Sequence, residues 1–451
     1  MDSSSHAIPF GEFPEDVQLC ILSFLSLPEI AAFACTSKRS LSLCSGGSRL
    51  WHALCDRRWG SKTLISRWGE GKISFRLLYR TLNEWDSLIG FWRRSGHPRP
   101  SSTAASPPQL VFFEWGPKFL AGSRVSPSQN GTYGVVKSPF LWLSLSPSGE
   151  AVNFLDPNEK SSGFPSEEAV REGDFIPVNV SFMGASHLVV EENVQGFGSS
   201  RFGFRRSSSS VNLTNDEEEV NGVDTNGLPG SLPDQYMSEM YQYFANRTSP
   251  GGNGSSRRQR RREKERQGRR KWEPEHFIKI VNCSPTTSRP LQGLWKGIAQ
   301  DSKLDFYLVT YDDIGGIACR RVGDSSAERF SGCPLVFWTS NSNYIKPPFP
   351  PKELFFYDNR VHPRAGDPGC YLAENEAETV SHILHINSSF DLLIPDMADN
   401  APVNPRHVEG RIWQYENGTF GFGFLRDNFI VDLKHIAQDG QLLDVEEPDK
   451  D

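Results

Sequence analysis

Residues 195–271 limit what this chain can fold into more than any other feature, because they divide its core-forming text in two. They hold RRSSSS at 205–210, an acidic NDEEEVNG at 215–222 and the basic SSRRQRRREKERQGRRK at 255–271. Such text buries too little apolar surface to offset the entropy of ordering it, so 195–271 reads as a disordered insertion. Within it, DQYMSEMYQYFANR (234–247) carries apolar spacing enough for one short helix. The overall hydrophobic share, 37% of 451 residues, fits a chain with part of its length outside any core.

On both sides of the insertion the text is β-type. LVFFEW, FLWLSL and HLVVEENV lie before it, between Gly, Pro, Ser and Asn. After it, LDFYLVTYDD alternates and turns at Asp312-Asp313-Ile314-Gly315-Gly316 into IACRRV, a hairpin. RIWQY and TFGFGF form a second hairpin around Glu416-Asn417-Gly418. Neither half shows a full strand count, so one barrel-like domain is expected from 110–194 plus 272–443, closed by an acidic tail at 444–451. LIGFWRR (88–94) and LQGLWKG (291–297) echo each other as first strands of sheets do, too slightly to count as a repeat. Most of Trp92, Trp115, Trp142, Trp295, Trp338 and Trp413 are expected in the core.

The N-terminus is different. Phe13-Pro14 opens a helix with Glu15 and Asp16 near its positive end. Val17, Ile21, Leu22 and Leu25 form an apolar stripe. Leu27-Pro28-Glu29 starts a second helix, Thr36-Ser37-Lys38 a third, and Ser48 caps a fourth carrying Leu50, Trp51 and Leu54. About fifty residues cannot bury so many large side chains internally, so a partner should cover some of them. Helical character continues through 61–109, which ends in a Pro/Ser-rich connection at 96–108.

Phe13-Pro14-Glu15-Asp16-Val17, Ile21-Leu22, Leu27-Pro28-Glu29-Ile30, Cys35-Thr36-Ser37-Lys38-Arg39 and Leu50-Trp51, in that order, resemble an F-box, placed at 8–60. The resemblance implies docking to the Skp-family linker of an SCF (Skp–cullin–F-box) ubiquitin ligase, and through it to a cullin scaffold. The contacts it implies are Phe13, Pro14, Val17, Ile21, Leu22, Leu25, Leu27, Pro28, Ile30 and Trp51. GLWKGIAQDSKLDFYLVTYDDIGGIACRRVGDS (293–325), FGFGFLRDNFIVDLKHI (420–436) and Leu88-Ile89-Gly90-Phe91-Trp92-Arg93 resemble the F-box-only protein thirty-one family. That resemblance implies a β-barrel that binds a protein substrate's degradation signal. The candidates for substrate binding are Trp295, Lys296, Tyr307, Arg320 and Phe424, with Arg320-Arg321 and Lys296 suited to acidic or phosphorylated segments. The expected class is therefore α+β: a helical F-box, then a mainly β, barrel-like substrate-binding domain.

No nucleotide-binding, hydrolase or metalloprotease signature occurs in the sequence, so a non-catalytic adaptor without cofactor is expected. His382 and His385 could share a helix face, but nothing beside them completes a metal site. Eight cysteines without a C-x-x-C pair fit reduced thiols in the nucleus or cytoplasm. No apolar run is long enough to span a membrane. Two rivals remain. Ten Lys/Arg at 257–271 could bind nucleic acid, although a nuclear localisation signal is the plainer reading. A β-barrel could also carry a small ligand. The serines at 207–210 form a plausible phosphorylation cluster.

Overall fold

A computed structural model describes residues 9–46, 48–95, 110–128, 132–159, 164, 174–182, 186–193, 272, 274–281, 283–299, 303–312, 315–322, 335–340, 343–363, 378–388 and 408–446. The insertion with its expected helix, basic run and serine cluster therefore lies outside the described residues, apart from Trp272 beside it.

Four helices open the chain: α1 (Glu15–Leu22), α2 (Leu27–Ala34), α3 (Lys38–Gly46) and α4 (Ser48–Trp59). A 3-10 segment (Ile65–Gly71) and α5 (Phe75–Trp85) follow. At the start of α2, Glu29 accepts hydrogen bonds from both the amide and the hydroxyl of Ser26, each at 2.7 Å. These bonds hold the Glu29 carboxyl below its usual range. α5 buries Leu78, Tyr79, Leu82 and Trp85 on one face, the i, i+4, i+7 pattern of an amphipathic helix.

The strands then form two sheets of the same design. The first runs β1 (Gly90–Ser95), β2 (Leu110–Trp115), β3 (Leu120–Pro127), β4 (Val135–Leu145), β5 (Ala151–Leu155), β6 (Ile176–Phe182), β7 (His187–Glu192) and β8 (Glu275–Lys279). Each strand pairs antiparallel with the next, and β8 pairs back with β1. This is a closed up-and-down barrel of eight strands. β8 follows the insertion yet lies between β7 and β1, so both sides of 195–271 build one barrel.

The second sheet runs β9 (Gly293–Ile298), β10 (Leu304–Tyr311), β11 (Ile317–Val322), β12 (Leu335–Thr339), β13 (Val380–Ser388), β14 (Val408–Tyr415), β15 (Phe420–Phe424) and β16 (Val431–His435). β16 returns to β9. The β12–β13 seam is joined by the Thr339 hydroxyl donating to the His385 carbonyl (2.9 Å) and by Ile345 bridging Ile383. Helix α6 (Pro351–Asp358) lies on the outside.

Two corrections to the expected organisation follow. The β region begins at Gly90, inside the stretch read as a helical and linker extension, and its strands close two barrels. The echo between 88–94 and 291–297 marks the first strand of each. Gly90 and Gly293 take φ of 109° and 140°. The Trp92 and Trp295 indole N–H groups donate to the carbonyls of Leu88 (2.6 Å) and Leu291 (3.0 Å), four residues back in each case. A Cβ at Gly293 would come within 2.8 Å of the Cys283 carbonyl, which explains the glycine there.

The barrels share an apolar layer. Phe91, Phe112, Val125 and Val135 of the first pack with Leu294, Phe306, Leu308 and Val322 of the second. The helices join the first barrel through a continuous core that includes Trp59, Trp68, Leu82, Trp85, Val111, Phe113 and Leu143. Thr63 donates to the carbonyl of Gly116 (2.6 Å) in the β2–β3 turn. A short hairpin of β17 (Ala437–Gln438) and β18 (Gln441–Leu442) leads to β19 (Val445–Glu446), which pairs parallel with β4. The stretch read as an acidic tail thus begins as part of the fold. Both expected hairpins are present, as β10–β11 and β14–β15, with Gly418 at φ 86° in the second turn.

Candidate functional site

The N-terminal helices divide the apolar stripe between two duties. α1 packs Leu19 and Leu22 inward, where Leu50 and Leu54 of α4 belong to the same core. Gln18 is buried as well, and its side-chain amide donates to the Phe13 carbonyl at 2.7 Å, fixing the start of the helix. The rotation that buries Leu22 turns Ile21 outward, 41% exposed, and Phe24 in the turn that follows α1 is 72% exposed. Leu41 on α3 is 54% exposed. Large apolar side chains so open to water are the usual mark of a surface awaiting a partner.

Of the residues implied as contacts, Pro14, Ile21 and Pro28 are exposed, and Phe13, Val17, Leu25 and Leu27 are half-buried. Leu22 and Ile30 are buried and hold the helices together, which corrects their reading as contacts. Trp51 is half-buried; its indole N–H donates to the Cys44 carbonyl (2.9 Å) and its ring meets Tyr79 edge-on at 5.6 Å. It joins α4 to α5. The sequence reading missed Phe24 and Leu41, although Phe24 lies only three residues beyond Ile21, in the turn that follows α1.

The candidates in the second barrel do not converge. Trp295 and Tyr307 are register partners on β9 and β10, and both belong to the buried interior cluster with Phe337, Phe420 and Phe422. Lys296 points the other way, fully buried, with its ammonium 2.7 Å from Asp444. Burial in the core takes Trp295 and Tyr307 out of reach of a partner, whereas Lys296 is covered by residues 443–444. Arg320 and Phe424 are half-buried on different strands. Phe424 packs on Phe422 (6.3 Å) under the Arg426 guanidinium (5.6 Å). Among the six tryptophans, Trp92, Trp142, Trp295 and Trp413 are fully buried, as strand-core residues should be. Large side chains packed on one another give this barrel's interior the chemistry of a core rather than of an open carrier.

Two buried charge groups had no signal in the sequence. In the first barrel, Arg124 pairs with Glu159 (2.6 Å) and lies over the Phe140 ring (4.5 Å), while Arg94 pairs with Glu275 (3.1 Å). Burial raises the Glu159 carboxyl despite Arg124 beside it. On the second barrel, Arg411 of β14 donates to both oxygens of Glu353 on α6, at 2.8 and 3.0 Å. Burial alone would raise Glu353, but the Arg411 hydrogen bonds and charge, with His385, hold it below its usual range. His382 and His385 lie on strand β13 and not on a helix, because the apolar residues between them pair into the barrel. Among the described residues no group of His, Cys, Asp or Glu could hold a metal ion, and no helix is long and apolar enough to cross a membrane.

Comparison with known proteins agrees with the helical end. Residues 10–57 match the F-box-like family. Across nearly its whole length the chain is 46% identical, over 446 residues, to an F-box protein of Arabidopsis thaliana, covering 98% of each.

Proposed function

Given that this chain belongs to the F-box proteins, we propose that it is a substrate-recognition subunit of an SCF-type ubiquitin ligase, docking the Skp-family linker through the exposed side chains of α1 and α3. The observation that carries this reading is the exposure of Ile21 on α1, Phe24 in the turn after it and Leu41 on α3, beside a core built from Leu19, Leu22, Leu50 and Leu54. The contribution to ubiquitin transfer is proximity: the adaptor holds a protein substrate near a charged conjugating enzyme and reacts with nothing itself. Every cysteine in the described residues is free, which suits a nuclear or cytoplasmic protein.

The test is co-purification with a Skp-family linker. Wild type should bind, and Ile21→Asp/Phe24→Asp should lose binding with no change in melting temperature. A wild type that fails to bind would overturn the reading. Leu22→Ala is the control that separates folding from docking, because Leu22 is 1% exposed.

A further inference from the structure

Residues 443–446 cross from the second barrel to the first as an added strand. β4 runs from Val135, but β5 pairs with it only from Leu141 onward, so that edge of its first residues is open to another chain. Val445 and Glu446 take this edge, opposite Val135 and Val136, and the Val135 amide donates to the Asp444 carbonyl at 2.8 Å. Two carboxylates fix the register. Asp444 accepts from the buried Lys296 ammonium, which also donates to the Leu443 carbonyl (3.2 Å). Glu446 accepts from the hydroxyls of Ser128 and Thr132. A Cβ on Gly134 would fall on the Glu446 carboxylate, so the cleft is shaped for that group.

The hold on this segment is slight. Only two residues are in strand, Asp444 sits at φ 54°, a left-handed conformation that costs a non-glycine residue, and Val445 is 44% exposed. The cation beneath is not slight: burial lowers the Lys296 ammonium and Asp444 supports it, so Lys296 needs an anion above it.

We propose that the cleft between the barrels is a β-addition site for an extended acidic peptide, occupied in cis by the chain's own residues 443–446. The backbone edge of β4 supplies affinity, and Lys296, Ser128 and Thr132 read the two carboxylates. The terminal segment is thereby a plug that an acidic segment of another protein displaces. That this other protein is a ubiquitination substrate rests on the function proposed above; the cleft itself does not.

The experiment uses the chain lacking residues 443–451 and a fluorescent peptide QLLDVEE (441–447), followed by anisotropy. The truncated protein should bind saturably, the full chain at least tenfold more weakly, and Lys296→Met in the truncated protein should cost about tenfold. The peptide QLLNVQQ should also bind about tenfold more weakly. Equal binding of the acidic and amide peptides, no binding by a folded truncated protein, or failure of the truncated protein to fold would each overturn the proposal. Linker co-purification on the same samples reports the F-box reading separately, since α1 and α3 take no part in the cleft.

Discussion

Leu22 and Ile21 are neighbours in the chain with opposite fates. Leu22→Ala opens a cavity in the helical core and should cost about 2–5 kcal/mol, read as a lower denaturation midpoint with unchanged m-value. Ile21→Asp leaves stability nearly untouched and should abolish linker binding. A sequence stripe of Val17, Ile21, Leu22 and Leu25 reveals that a helix is amphipathic. It does not say which edge of the stripe packs into its own domain and which stays exposed. That is set by where α4 lies, and α4 is fixed by contacts distant in sequence. The same limit applies to Lys296. The motif shows a cation beside a tryptophan, and only the return of residue 444 from far along the chain shows that the cation is covered.

At the level of elements, α6 is held to the second barrel, among the described residues, by the buried Glu353–Arg411 ion pair, by ring contacts and by the Tyr357 hydroxyl, which donates to the Glu378 carbonyl (3.3 Å). Glu353→Ala would leave Arg411 charged and buried without its partner, at a cost of about 3–5 kcal/mol. Increased hydrogen exchange across α6 would be the readout; protection equal to wild type would show that the rings suffice. The strands β7 and β8 carry a pH-sensitive contact. His187 and His276 stack, with ring nitrogens 3.1 Å apart. Burial, with His276 beside it, brings His187 down to about 4, and burial lowers His276 too. The unfolded chain takes up protons near 6.5 where folded His187 stays neutral. Stability should therefore fall as pH drops from 6.5 toward 4, by at most about 1.4 kcal/mol per pH unit from His187, with His276 acting in the same direction. A His187→Gln protein should show a flatter melting profile across that window.

At the scale of the molecule, the described residues form two barrels and a helical head that share apolar layers. Because β8 is held between β7 and β1, cutting the chain at a protease site engineered within 195–271 should leave the two fragments bound together under native conditions. Fragments that part on a sizing column would contradict this arrangement. Strand hairpins were readable because alternation and turn residues are local: LDFYLVTYDD with its Gly-Gly turn, and RIWQY with Asn417-Gly418, occur in the fold as the sequence implies. The count of barrels was not. A barrel closes through its first and last strands, here Gly90–Ser95 and Glu275–Lys279, and nothing local in either names the other.

The sequence by itself determined the F-box helices, the strand-rich remainder and the place where the β text is interrupted, since all three rest on periodicity and composition over short windows. Tertiary structure alone decided which apolar side chains stay exposed, that the strands close two barrels, and that the terminal residues complete an edge of the first. Those outcomes depend on pairings between distant segments, where burial is shared and no single stretch carries the pattern.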